Sequence, residues 1–136
     1  MPRTPQDITD AELNVMEVLW NRKGRPITIR HLTAALYPNT GSTYYATVQK
    51  LLERLEEKEC VVRDRSQSPH TFTAIADRSE LIGRRLQKVA EQMCGGSLTP
   101  LLTHLVQGRW LSKKELQNLR DLIDELAEDN EKRGKG

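Results

Sequence analysis

The chain is poor in aromatic residues: two tryptophans, three tyrosines and one phenylalanine among 136 residues. Leucine takes their place, with eighteen copies, so the core must be aliphatic, a composition suited to helices. The two cysteines, Cys60 and Cys94, are too few for a disulfide framework or a zinc site. No apolar run approaches the roughly 18–20 residues a membrane span needs. No charged-then-apolar signal opens the chain, so a soluble, cytoplasmic protein without membrane insertion is expected. A surplus of one charge is also missing, since 21 Lys and Arg face 19 Asp and Glu for a net +2. Bulk charge therefore does not point to nucleic acid, and any such reading must rest on local arrangement. No H-E-x-x-H, G-x-S-x-G or phosphate-loop pattern is present, and His31, His70 and His104 fall in different predicted elements. No catalysis, metal or cofactor is expected.

What is present is helical spacing. Thr9 and Glu12 have the interval of a capping box, and Ile8 and Leu13 occupy the hydrophobic-staple positions beside it. Leu13, Met16 and Trp20 continue the period, which predicts a helix from Thr9 to Arg22. The breaker cluster Lys23-Gly24-Arg25-Pro26 ends it. Thr28 caps a short second helix bearing Ile29, Leu32 and Leu36. Turn residues Tyr37 to Gly41 follow. A third helix begins near Thr43, with Val48, Leu51, Leu52 and Leu55 as its apolar stripe. Glu59 stands at the end of that helix, where glycine would close it most easily. The period then shortens at Val61-Val62-Arg63 and again at His70 to Ile75, separated by a polar turn, which predicts a two-stranded hairpin.

The second half is helical again. Asp77 or Ser79 caps a helix whose Ile82, Leu86, Val89 and Met93 form a heptad-like seam. Gly95-Gly96 breaks it. A helix from Ser97 or Thr99 carries Leu101, Leu102, Leu105 and Val106. Ser112 and Glu115 make a second capping box, opening a helix with Leu116, Leu119, Leu122, Ile123 and Leu126 inward. The tail 128–136 is charged and expected to fray. The expectation is a mainly α protein of two domains: a winged helix-turn-helix with a small β-hairpin wing (1–76) and a helical dimerisation domain (77–136). The leucine stripes of the second half exceed what an isolated tail can bury, so Ile82, Leu86, Val89, Met93, Leu101, Leu102, Leu105, Leu119, Leu122, Ile123 and Leu126 are assigned to a homodimer. An intrachain core is the alternative for the first four.

In a winged helix-turn-helix the third helix enters the major groove and its outward side chains reach base edges. With the apolar stripe inward, the outward set is Thr43, Ala46, Thr47, Gln49 and Lys50, with Arg54 flanking and Tyr44 and Tyr45 to the sides. None is acidic. Gln49 suits adenine, Lys50 a guanine edge or a phosphate, and Thr47 a thymine methyl or a phosphate. Arg63, Arg65 and His70 on the hairpin are candidate backbone contacts. The bland alternatives are a solvated basic face for the three arginines and, for the whole chain, a protein-interaction module without operator binding.

The sequence resembles the penicillinase-repressor family of bacterial transcriptional regulators, the BlaI/MecI type. The resemblance spans about Ile8 to Leu126. It is carried by Thr9-Asp10-Ala11-Glu12-Leu13-Asn14-Val15-Met16-Glu17-Val18-Leu19-Trp20, by Thr47-Val48-Gln49-Lys50-Leu51-Leu52-Glu53-Arg54-Leu55, and by Gly95-Gly96-Ser97-Leu98 running into Leu111-Ser112 and Glu115-Leu116-Gln117-Asn118-Leu119. It implies a homodimeric repressor on double-stranded, palindromic operator DNA. It also implies a membrane-bound sensor metalloprotease that cuts the dimerisation domain. The family's cleavage point falls here on His104-Leu105 rather than Asn-Phe. Ala46 and Gln49 stand where relatives often carry basic residues, and the Cys-x-Cys pairs of the copper-responsive branch are absent.

Overall fold

Residues 6–134 are described by a computed structural model. The first helix, α1 (Asp10–Asn21), is capped by Thr9, and both arms of the capping box are made. It leads into a two-residue strand, β1 (Ile27–Thr28), and α2 (Ile29–Leu36), whose first turn is capped by the Thr28 hydroxyl. The third helix, α3 (Tyr45–Glu57), precedes the antiparallel strands β2 (Val61–Asp64) and β3 (Thr71–Ala74). The second half holds α4 (Arg78–Met93), α5 (Thr99–Gln107) and α6 (Lys113–Gly134). Mainly helical architecture with a small sheet is as expected.

Three differences from the sequence reading have clear causes. The hairpin gains a third strand, because β1 pairs with β3 and opposes Ile27 to Phe72. Two residues give no readable alternation, so only their distant partner reveals them. The third helix starts at Tyr45, not Thr43. The Thr43 amide and hydroxyl are both committed to Thr40 O in the preceding turn. The charged tail is helical as far as Gly134. It contains no earlier breaker, and Lys132 and Arg133 sit favourably at the negative end of the helix dipole.

One core joins α1, α2, α3 and the sheet. Val15, Met16, Leu19, Ile27, Leu32, Val48, Leu52, Leu55, Val61 and Phe72 are buried, and Leu81 of α4 joins the same cluster. Each such side chain contributes about 1.5–3 kcal/mol relative to exposure. Trp20 is half-buried at the edge, donating from Nε1 to Ala76 O at 2.9 Å.

The end of α3 closes without glycine. The Cys60 amide donates to Leu55 O (2.8 Å) and the Glu59 amide to Glu56 O (3.1 Å). This double closure requires a left-handed residue, and Glu59 supplies it at φ 59°.

The chain divides into two compact units, one ending at Lys88 and the other beginning at Val89. In the second unit no residue of α5 or α6 is buried. Ser112 and Glu115 complete their capping box. Gly108 closes α5 because a Cβ there would lie 2.6 Å from Trp110 and 2.7 Å from His104 O. No helix among the described residues is long and apolar enough to cross a membrane.

Candidate nucleic-acid interface

The helix-turn-helix is built around α3. Its buried side is Val48, Leu51, Leu52 and Leu55. Ala46, Thr47, Lys50 and Arg54 stand exposed on the other side, and Gln49 is half-buried. The outward surface from Gly41 to Lys50 contains no acid; the first is Glu53, also exposed.

The turn that aims α3 is fixed by aromatic stacking. The Tyr37 and Tyr44 rings lie 4.1 Å apart, tilted by 19°. Tyr37 caps the end of α2, and Tyr44 occupies the N-cap of α3 without a side-chain capping bond. The stack thus replaces the usual Ser/Thr/Asp cap in fixing the helix entry. The Thr40 hydroxyl donates to Tyr37 O at 2.6 Å, tightening the same turn. Thr43 and Tyr44 therefore belong to the approach to the helix, while Tyr45 begins it.

The wing candidates divide. Arg63 alternates inward with Val61, and its guanidinium lies 4.7 Å over the Phe72 ring, leaving it half-buried. Arg65 is exposed and pairs with Glu56 of α3 at 3.3 Å. His70 is half-buried beside β3. Asp64 accepts from the Ser66 amide and hydroxyl at 2.9 and 2.6 Å, shaping the wing turn. Those two bonds hold its carboxyl below the ordinary range.

Beneath α3 lies a polar contact the sequence did not reveal. Glu12 is fully buried, and its Oε1 accepts from Lys58 Nζ at 2.6 Å and from the Thr9 amide at 2.8 Å. Burial alone would raise the Glu12 pKa, but Lys58 and the Thr9 bonds outweigh it and hold the carboxyl below its ordinary value. Cys60 sits beside this group, fully buried, and burial pushes its thiol pKa up. It behaves as a small core residue, not a nucleophile.

The proposed dimer residues are placed as follows. Ile82, Leu86 and Met93 are exposed on α4, and Val89 is half-buried. Leu102, Leu122, Ile123 and Leu126 are about half exposed or more, while Leu101, Leu105 and Leu119 are intermediate. His104 lies within α5, edge-on to Trp110 with ring centroids 5.5 Å apart.

Known proteins are similar to this chain in sequence. The family model described as penicillinase repressor matches residues 8–125. The chain belongs to the penicillinase-repressor family. Among its relatives is a transcriptional regulator BlaI from Mycobacterium tuberculosis (strain ATCC 25618 / H37Rv), 31% identical over 118 residues, covering 86% of this chain and 83% of that protein. A penicillinase repressor from Staphylococcus aureus is 21% identical over 121 residues, covering 89% and 94%. Another from Bacillus licheniformis is 26% identical over 125 residues, covering 92% and 94%. Members of the penicillinase-repressor family are transcriptional regulators, not enzymes.

Proposed function

We propose that this penicillinase-repressor family member is a homodimer that silences transcription by binding a palindromic operator. The outward, acid-free start of α3 carries the proposal. It is firmly backed by the core, preceded by a rigid turn, and presents Ala46, Thr47, Gln49 and Lys50 where a major groove would receive them. Tyr45 and Arg54 flank it, and Arg65 and His70 approach from the wing. The half-exposed leucines of α5 and α6 provide the dimer surface. Leu122, Ile123 and Leu126 each remain about half exposed in the single chain, which a second copy would cover. Two copies of α3 would then meet half-sites about 34–36 Å apart.

Derepression would come from a membrane-bound sensor metalloprotease cutting within α5, at or near His104-Leu105. Severing it removes the dimer contacts and with them the bivalent hold on DNA.

Binding sites selected from random DNA test the operator reading. A palindrome bound with affinity that falls steeply with salt is expected. Failure to retain any duplex at low salt would refute it. Sedimentation at micromolar concentration should give a dimer. In induced cells, a fragment ending near His104 is the expected cleavage product.

A further inference from the structure

Arg84 is a buried arginine on α4, 7% exposed, and it is not on the outward face of α3. Its Nη1 donates to Lys58 O at 2.8 Å, to Gln6 O at 3.2 Å and to Cys60 Sγ at 3.2 Å. Its Nη2 donates to Glu80 Oε1 at 2.8 Å, one turn back on the same helix. Lys58 is the C-cap of α3. One guanidinium edge therefore grips the carbonyl that ends the candidate DNA-reading helix and the sulfur of the residue that completes its closure.

A buried guanidinium is costly unless its donors are used, and removing one partner of such a group is more costly still. An apolar residue would fill this space at less cost. What the arginine adds is direction: Nη1 fixes two backbone carbonyls against α4, while Nη2, held by Glu80 and coplanar with it, sets the plane of the group. The neighbouring arginines clamp the same stretch of α4. Arg78 forks onto Glu17 at 2.6 and 2.7 Å, and Arg85 reaches Asp7 at 3.1 Å and Ile8 O at 2.9 Å. Both of these land on α1 or the segment before it. Arg84 alone among the three reaches α3. The helix that carries them runs unbroken to Met93.

We infer that Arg84 is a positioning residue for operator recognition, fixing the C-terminal end of α3 to α4 so that the helix's outward residues meet the groove at one angle. This rests on the operator-binding reading above. Without Arg84, α3 still folds on its apolar stripe, and its end keeps Leu55, the Lys58–Glu12 and Glu56–Arg65 pairs and the backbone closure, but it loses its hydrogen-bonded tie to α4. The helix then samples several tilts. Contacts to phosphates survive such movement, whereas contacts to base edges do not.

The test compares Arg84→Met, Arg84→Lys and Glu80→Gln in the full-length dimer. Operator and non-specific duplexes are titrated separately, with operators whose half-sites are one base pair closer or further apart. Loss of one base contact is worth about tenfold. Arg84→Met should therefore weaken operator binding about tenfold while non-specific binding stays within about twofold. Its preference among the three half-site spacings should flatten. Arg84→Lys, which can still reach one carbonyl, should recover part of the loss. Glu80→Gln, at a half-exposed site, should show the same pattern more weakly, and it decides the matter with Arg84→Lys if the methionine variant does not fold. Equal losses on operator and non-specific DNA would mean a structural role only and overturn the proposal. So would unchanged operator binding and spacing preference in Arg84→Lys and Glu80→Gln. If the wild-type protein binds no duplex, the operator reading itself falls. Amide exchange at Cys60 then judges the Arg84 contact: faster exchange in Glu80→Gln supports it, and no change refutes it.

Discussion

Lys58 and Glu12 form an ion pair at 2.6 Å between the last cap of α3 and the first turn of α1, and the carboxylate side is wholly buried. The same carboxylate oxygen completes the Thr9 capping box. One side chain thus closes the start of one helix and ties down the end of another.

Removing that carboxylate should destabilise the fold. Glu12→Gln leaves Lys58 without its anion, and we expect a loss of about 2 kcal/mol in urea unfolding at neutral pH. The pH dependence has a definite sign. The folded-state pKa of Glu12 is depressed, so its contribution is fully present above the ordinary carboxylate value of about 4.3. It is lost as pH falls through the lower folded value. The gap between wild type and Glu12→Gln should therefore narrow on acidification; a constant gap would contradict the assignment.

Glu59→Gly should stabilise the protein. Glu59 holds a left-handed conformation that glycine adopts without steric cost. The gain is reduced by the greater freedom of glycine in the unfolded chain, leaving about 0.5–1 kcal/mol. A rise in melting temperature checks it.

Lys50→Ala and Gln49→Ala should weaken operator binding with unchanged helical circular dichroism. The two should differ in kind. If Lys50 meets a phosphate, its loss lowers the salt slope by about one ion. Gln49→Ala should instead relax preference at one base pair, at a cost of about 1–3 kcal/mol. If neither variant binds more weakly, α3 presents a different face to DNA.

Glu56→Gln should strengthen DNA binding. Arg65 is held at 3.3 Å by Glu56, and both are partly exposed, so the pair is weak. Freed from it, Arg65 can turn to a phosphate, and one acid is gone from the approach. A two- to fivefold gain is expected, roughly, with a steeper salt slope. A loss of affinity would mean that the pair's task is to fasten the wing to α3.

How much of this was legible in the sequence depended on distance along the chain. The capping boxes at Thr9 and Ser112 involve residues three apart, and both were readable. The α3 stripe was readable for the same reason, as was the strain awaiting Glu59. Lys58 and Glu12 are 46 positions apart, and Arg84 and Lys58 are 26 apart; no local pattern couples them. The strand at Ile27 has no periodicity of its own and exists because Phe72 lies opposite. The seat of Arg63 over the Phe72 ring was not legible, because alternation alone does not pair an arginine with an aromatic ring. The Tyr37–Tyr44 stack was hidden because the turn residues between the two rings carry no period that would show the rings meeting.

Packing and outward display fall on different residues of α3. Val48, Leu51, Leu52 and Leu55 carry the burial, and Ala46, Thr47 and Lys50 contribute nothing to it. The outward positions can therefore change identity at almost no cost in stability. If α3 reads an operator as proposed, a lineage carrying this scaffold can drift from one target sequence to another by substitutions that folding does not select against. On that reading, one stable domain could be turned to many operators without being rebuilt.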